Sequence, residues 1–296
     1  MLSGPATFSR RSAAAPEARG QGTRSPPETF ALPAPSRPSF RRRSHLRDNL
    51  RAIFSHVPAG FADLTQAPRM LINSASLSET VDAINAARFD GRTLAAAERG
   101  EAARWIAGRQ GLPGAYADTF AGFPSEREKG ILLFTGERIT SASARHILGE
   151  ESSRALRHLG VRDAKVTAAL DRANEGLMRC LARAEADPRY TNPGLFCCGK
   201  CSVGLWRNLL SGGLDRHEER LSLGASHLKS MRNGDQWRKF PFWYTVLALS
   251  EMDNADARKE LKHAAPKLER AAKAAAPSPP YARRRHEIAV RALNAL

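Results

Sequence analysis

The sequence predicts an all-α protein of stacked helical hairpins, toroid- or solenoid-like in arrangement, with a disordered N-terminal tail. Three observations favour this class. Apolar residues recur at helical spacing from about residue 46 onward, and the second half repeats itself with a period in the forties. One stretch, residues 130–135, has the composition of a strand. The 296 residues are 42% hydrophobic, which is enough for a sizeable core.

Composition divides the chain into a tail at residues 1–45, an N-terminal helical region at 46–160 and C-terminal helical hairpins at 161–296. The tail is rich in Ser, Ala, Pro and Arg and cannot bury enough surface to offset its ordering entropy, so we expect it to be disordered. An arginine-rich, acid-poor start is also typical of an organelle transit peptide, and a start codon set too far upstream would give the same composition. The sequence leaves these origins open.

The net charge of +16 is unevenly distributed, because residues 1–52 contain ten arginines against three acidic residues. A basic excess favours anionic partners. The arginine-rich stretches at both termini, residues 1–52 and 283–285, therefore make an anionic ligand or nucleic acid a candidate partner. No recognised nucleic-acid-binding module accompanies them.

No apolar run approaches the roughly 18 residues that a membrane-spanning helix needs, so we expect no membrane span. The four cysteines, two of them adjacent, are unlike the dense frameworks of secreted disulfide-rich proteins. We therefore expect a protein of a reducing compartment, located in the cytoplasm.

The first helix is predicted to begin at a capping box formed by Ser76 and Glu79 and to end near Asp90. Apolar residues at helical spacing predict two further helices over residues 92–109 and 141–159. These elements make up the N-terminal helical region.

The second half begins with a helix for which Asp163 is the predicted N-cap and which Pro188 ends. A shift of 47 residues places Tyr190 on Trp237, and a shift of 44 places Trp237 on Tyr281. Each unit has the order helix, polar turn, aromatic residue, loop and helix. A period in the forties fits a helical hairpin that needs its neighbours to complete a core.

The central repeat contains a Gly-Asp turn, a tryptophan, and a helix that begins with a threonine before Ala-Leu. The corresponding segments are NGDQW at 233–237, FPF at 240–242, Thr245 and LAL at 247–249. This stretch, within residues 220–252, resembles a repeat of the α/α-toroid proteins, the terpenoid cyclases and protein prenyltransferases. The chain has neither an Asp-x-Asp-Asp acid motif nor an Asp…Cys…His zinc set at matching positions. The resemblance therefore implies stacked helical hairpins and carries no activity.

Three of the four cysteines lie within five positions, just before or at the start of a helix. The spacing of Cys198 and Cys201 is that of a metal knuckle, in which two thiolates reach one ion from a tight turn. A zinc ion would need two more ligands. The candidate ligands are Cys180, Cys197, Cys198 and Cys201, with His217 and His227 downstream.

Two other interpretations of these cysteines stay open. Cys198 or Cys201 could act as a catalytic thiol, with His217 or His227 as base, because Lys200 and a helix N-terminus lower a thiol pKa. The strand-to-helix context of common redox Cys-x-x-Cys motifs is missing. Alternatively, the cysteines are small apolar residues packed where helices approach.

His146 and Glu150 lie four residues apart on a predicted helix and share a face. Such a pair can bind a metal or exchange a proton, although it is more often a surface interaction. The His-Glu-x-x-His zinc-protease motif, a Gly-x-Ser-x-Gly elbow and a glycine-rich phosphate loop are all missing from the sequence.

We therefore expect a helical-repeat binding or scaffold protein whose ligand is unknown. One alternative is an enzyme or metal-binding protein that uses the Cys197–Cys201 loop for zinc or thiol chemistry, and another is a basic nucleic-acid-binding adaptor. Whether the protein is an enzyme is left open by the sequence. The predicted pocket is lined by Cys197, Trp206, Trp237, Phe242 and Tyr244.

Overall fold

The computed structural model describes residues 70–188, 192–274 and 279–296, and most of them lie in ten helices. The prediction of a mostly helical protein is confirmed. The helices are α1 Leu77–Phe89, α2 Ala96–Ala107, α3 Pro124–Lys129, α4 Ser143–Leu159, α5 Ala164–Glu185, α6 Gly199–Leu210, α7 His217–Met231, α8 Phe242–Ser250, α9 Ala255–Lys273 and α10 Pro280–Asn294.

The described residues also contain two antiparallel ribbons of two-residue strands. The predicted strand at 130–135 contributes only Ile131–Leu132 (β1), which pairs with Arg138–Ile139 (β2). The second ribbon joins Arg232–Asn233 (β3) to Gln236–Trp237 (β4). Both ribbons are tight connections between helices.

The predicted helix starts are observed where a side chain caps the backbone. The Ser76 hydroxyl accepts a hydrogen bond from the Glu79 N–H at 3.1 Å at the start of α1. The Glu79 carboxylate instead accepts from Asn73 Nδ2 at 2.7 Å, so only half of the capping box forms. At the start of α5, Asp163 Oδ1 accepts from the Lys165 N–H at 2.9 Å. Each cap satisfies a backbone donor that the helix leaves free.

Helix α4 contacts five other helices of the described chain. It packs against α1, α2, α3, α5 and α6, and 13 of its 17 residues are buried. Contacts between α1 and α4, α4 and α6, α6 and α8, and α8 and α10 form a row of neighbouring helices. Helices α7 and α9 flank this row and pack against each other. The row returns to α1 through α10, where Arg284 Nη1 lies 2.7 Å from Asp82 Oδ1.

A buried carboxylate at Glu151 joins four helices of this row. Its Oε1 accepts hydrogen bonds from Arg207 Nε at 2.5 Å and from the Tyr244 hydroxyl at 2.6 Å, and its Oε2 accepts from Asn85 Nδ2 at 3.1 Å. Burial raises the pKa of Glu151, but Arg207 and Arg154 outweigh it and hold the pKa below its ordinary value. The carboxylate is therefore ionised in the core.

The same network reaches the end of α8. Glu251 Oε1 accepts from Arg207 Nη1 at 2.9 Å and from Arg154 Nη2 at 3.0 Å. Arg154 Nη1 also donates to the Arg207 carbonyl at 2.8 Å. Two buried arginines are thus compensated by one buried carboxylate, Glu151, and by Glu251, which is partly exposed to solvent.

The described residues form one compact unit. Helix α4 packs against α2 before it and against α5 after it, so the two helical regions predicted on either side of residue 160 pack together. The predicted tail at 1–45 and the start of the 46–160 region lie outside the described residues. Among the described helices, none combines the length and apolarity that crossing a membrane requires.

Replacing Glu151 by Gln should lower the free energy of unfolding by about 3–5 kcal/mol, because two buried arginines would then share one carboxylate. Urea denaturation at pH 7 measures this change. The control is Arg179→Ala, which breaks an ion pair between exposed side chains and should cost about 1 kcal/mol or less. Equal effects of the two substitutions would show that the buried network does not matter for stability.

Candidate functional site

Three cysteines and one histidine meet where the N-terminal ends of α4 and α6 come together. The ligand atoms of His146, Cys197 and Cys201 all lie within 4.8 Å of one another. His146 Nδ1 lies 3.2 Å from Cys201 Sγ, and Cys198 Sγ lies 3.6 Å from the same sulfur. We call these four residues the cysteine–histidine cluster.

The backbone before α6 explains how two adjacent thiols reach one point. Successive side chains of an extended chain point to opposite sides, but Cys197 adopts a left-handed conformation with φ 53°. The Cys198 N–H then donates to the Phe196 carbonyl at 2.5 Å, and Cys198 becomes the N-cap of α6. Gly199 follows, and a Cβ there would lie 2.5 Å from the Lys239 carbonyl oxygen. The close approach therefore requires glycine at position 199.

The thiols of the cluster differ in exposure and in ionisation. Cys197 and Cys198 are exposed, whereas Cys201 is buried. The Cys201 thiol, the Ser143 hydroxyl and backbone N–H groups at the helix N-terminus donate to Cys198 and lower its pKa to about 4. The hydrogen bond to Cys198 and burial raise the pKa of Cys201. The hydrogen bonds around Cys198 therefore favour its thiolate over that of Cys201.

His146 supplies a neutral nitrogen to this cluster. Burial and the neighbouring Arg145 lower the pKa of His146, so the imidazole is uncharged at neutral pH. Its ring contacts the tilted ring of Tyr116, with centroids 3.8 Å apart, and the ring centroid of Phe196 lies 5.7 Å away. The two aromatic rings hold the imidazole against the cysteines.

Cys180, a predicted metal ligand, lies on α5 beside Tyr116 and outside the cluster. Its sulfur accepts a hydrogen bond from Arg183 Nη2 at 3.0 Å. Burial and a hydrogen bond with Cys180 raise the pKa of Tyr116. Tyr116 therefore contacts both Cys180 and His146. The structure thus adds His146 to the three clustered cysteines and leaves Cys180 apart.

The predicted bases His217 and His227 both lie on α7. His217 is half-exposed and lies 4.0 Å from Glu218. His227 is half-buried, and burial lowers its pKa. Within the part of the chain that the structure describes, neither belongs to a group of converging metal-ligating side chains, whereas His146 does.

The aromatic residues of the predicted pocket lie in the core. Trp206, Trp237, Phe242 and Tyr244 are each less than 10% exposed. Trp206 Nε1 donates to the Gly194 carbonyl at 2.6 Å, and Trp237 Nε1 donates to Glu260 at 2.8 Å. Of the predicted pocket, Cys197 is the exposed member.

The arginines near the C-terminus make tertiary contacts. Arg284 pairs with Asp82 and donates to the Phe134 carbonyl at 2.9 Å. Arg285 Nε donates to the Thr135 carbonyl at 2.7 Å, and Arg283 Nη2 lies 3.7 Å from Asp90 Oδ2. These groups tie α10 to neighbouring elements. The other basic stretch, residues 1–52, lies outside the described residues.

Glu150, which the sequence paired with His146, is a buried carboxylate. Its Oε2 accepts from Asn208 Nδ2 at 2.5 Å, while its Oε1 has no hydrogen-bond partner among the described residues. Burial raises the pKa of Glu150 to about 7, although Asn208 and Arg157 oppose the shift. A carboxylic acid that titrates near neutral pH therefore lies one helical turn from His146.

The free energy of unfolding should fall as the pH rises from about 5 to 7. The reason is that Glu150 holds a proton in the folded state, whereas the unfolded state releases it. Glu150→Gln should remove this dependence and raise the free energy of unfolding at pH 8, by up to about 3 kcal/mol. Urea denaturation across pH 5–8 measures both effects. Glu218→Gln, at an exposed carboxylate, should leave the profile unchanged. A Glu150→Gln variant with the wild-type pH profile would contradict the assignment.

No protein-family model matches this chain, and no curated protein or solved structure matches it. The resemblance of residues 220–252 to an α/α-toroid repeat stays a prediction. Any functional assignment therefore depends on the geometry of the cysteine–histidine cluster.

Proposed function

We propose that the protein binds one zinc ion, or a divalent ion of similar softness, through His146, Cys197, Cys198 and Cys201. The convergence of their donor atoms carries this proposal. Zinc–sulfur bonds of about 2.3 Å place two thiolates of a tetrahedral site about 3.8 Å apart. The Cys198 and Cys201 sulfurs lie 3.6 Å apart, and His146 Nδ1 lies 3.2 Å from Cys201 Sγ. His146, Cys197 and Cys201 already converge within 4.8 Å, and Cys198 lies against Cys201, so a turn of the Cys198 side chain would complete a four-ligand site.

The chemistry of the donors supports the choice of metal. Three thiol groups and one imidazole are the ligands of structural zinc sites, while magnesium and calcium prefer oxygen. Thiols must lose their protons to bind the ion. The hydrogen bonds at the start of α6 already favour the thiolate at Cys198, and the neutral imidazole of His146 presents Nδ1 to Cys201.

Four protein donors leave no open coordination position, which is the arrangement of a structural rather than a catalytic zinc site. The ion would fix the start of α6 to α4, elements whose ligands lie 55 residues apart in the sequence. We therefore favour a metal-stabilised helical binding or scaffold protein over an enzyme. Clustered thiols persist in a reducing environment, which supports the cytoplasmic location predicted from the sequence.

The helix contacts also support a toroidal arrangement of the hairpins. The row α1, α4, α6, α8 and α10 consists of successive neighbours, with α2, α5, α7 and α9 between them in the sequence. The ion pair of Arg284 with Asp82 links α10 back to α1, and Arg291 Nη2 donates to the Phe89 carbonyl at 2.9 Å. A closed ring of this kind would place the cluster at one end of two adjacent inner helices.

Protein purified without oxygen and without a metal-binding tag should contain one zinc ion per chain by elemental analysis. His146→Ala and Cys201→Ser should lose most of this metal, because each removes a donor. Cys180→Ser and His217→Ala are matched controls outside the cluster and should retain it. After exchange with cobalt, the thiolate-to-metal absorption should have the intensity of three thiolate ligands and should fall in Cys197→Ser.

Two results would overturn the proposal. One is wild-type protein that takes up no stoichiometric zinc when it is reduced and incubated with the ion. The other is that Cys180→Ser loses the metal while His146→Ala retains it. In that case Cys180, and not His146, would be the fourth metal ligand.

A further inference from the structure

We infer that the zinc centre is also a site of peroxide oxidation, at which Cys198 and Cys201 form a disulfide and the metal is released. The inference rests on the proposed zinc site and adds a redox response to it. Three features of the cluster carry it: the separation of the two sulfurs, their difference in exposure, and the dependence of the metal on both.

The sulfurs of Cys198 and Cys201 are close enough to bond after a small movement. They lie 3.6 Å apart, and a disulfide needs about 2.05 Å, so they must approach by about 1.5 Å. The adjacent pair Cys197 and Cys198 is disfavoured, because consecutive Cα atoms lie about 3.8 Å apart and a disulfide spans at least about 4.4 Å. Cys197 Sγ also lies within 4.8 Å of Cys201 Sγ and is the competing partner, but the 3.6 Å contact between the Cys198 and Cys201 sulfurs favours Cys198.

The exposure of the two sulfurs assigns them different roles. Cys198 is open to solvent, and the Ser143 hydroxyl lies 3.4 Å from its sulfur. Cys201 is fully buried behind it and is reached by His146. A small oxidant in water meets Cys198 first, and Cys201 is positioned to react with the oxidised sulfur.

The chemistry balances with hydrogen peroxide as the oxidant. The Cys198 thiolate attacks one peroxide oxygen and the O–O bond breaks, which gives a sulfenic acid and a hydroxide that takes up a proton. The Cys201 thiolate then attacks the Cys198 sulfur and displaces a second hydroxide, which is also protonated. Two thiolates have lost two electrons, one peroxide has become two waters, and one S–S bond has formed.

The disulfide removes two of the four metal donors. Cys197 and His146 remain, and two ligands are fewer than a structural zinc site requires. The ion therefore leaves, and the link between α4 and the start of α6 opens. A dithiol reductant reverses the process by supplying two electrons and two protons, after which the site can bind zinc again.

The test begins with the zinc content of anaerobically purified, full-length protein, which reports on the proposed function alone. One molar equivalent of hydrogen peroxide is then added in the presence of a chromogenic zinc chelator. We expect release of one zinc ion per chain, and peptide mass spectrometry should show a Cys198–Cys201 disulfide. Cys180→Ser, with its cysteine outside the cluster, should behave like the wild type. Dithiothreitol and fresh zinc should restore the bound metal.

A second measurement covers variants that lose the metal. Cys198→Ser and Cys197→Ser, reduced and metal-free, are treated with the same peroxide and mapped. Cys197→Ser should form the Cys198–Cys201 disulfide, whereas Cys198→Ser should form no Cys197–Cys201 disulfide in the same time; equal yields of the two disulfides would overturn the assignment of Cys198.

The outcomes separate the two proposals. Protein without zinc before oxidation contradicts the proposed function. Zinc that stays bound after the peroxide is consumed overturns the inference and leaves the proposed function intact. A disulfide that involves Cys180 or Cys197 in the wild type also overturns it.

Discussion

The buried ion pair between Glu151 on α4 and Arg207 on α6 is the constraint on which the arrangement of the other helices depends. A charged pair in the core is tolerated only when the geometry and the remaining hydrogen bonds compensate for lost water. Here Asn85, Tyr244 and Glu251 supply those bonds from α1 and α8. Sliding α4 against α6 by one residue would separate the buried charges, and sliding α1 or α8 would remove hydrogen bonds from Glu151, so the network favours one register.

The same register places the cysteine–histidine cluster. His146 precedes Glu151 by five residues on α4, and Cys201 precedes Arg207 by six on α6. Each residue adds about 1.5 Å along a helix axis. The His146–Cys201 contact and the Glu151–Arg207 contact can therefore both form only if α4 and α6 run in the same direction with a nearly constant offset. Contacts between Arg157 and Ser211 extend this match toward the helix ends. The packing of α4 against α6 therefore places both the buried Glu151–Arg207 ion pair and the cysteine–histidine cluster.

The cluster lies at the end of this pairing where the chain enters α6 through a strained turn. Cys197 has a positive φ, and Gly199 lies against the Lys239 backbone, so the loop has few alternative conformations. An ion bound there would hold the turn from the α4 side. Its loss would release the turn while the buried charge network still held the helices, which separates local opening of the loop from unfolding of the core.

The sequence by itself determined the helical class, the starts of α1 and α5 at Ser76 and Asp163, and the position of three cysteines at the start of a helix. These features depend on local chemistry, namely capping, apolar spacing and turn residues. Only the tertiary structure decided that His146 joins those cysteines and that Cys180 does not. It also placed Trp206 and Tyr244 in the core. Such choices depend on which helix faces meet, and spacing along the chain carries no information about partners 55 residues apart. The one sequence signal for His146 was its place one turn before Glu150 and Glu151, on a helix whose polar residues proved to face inward.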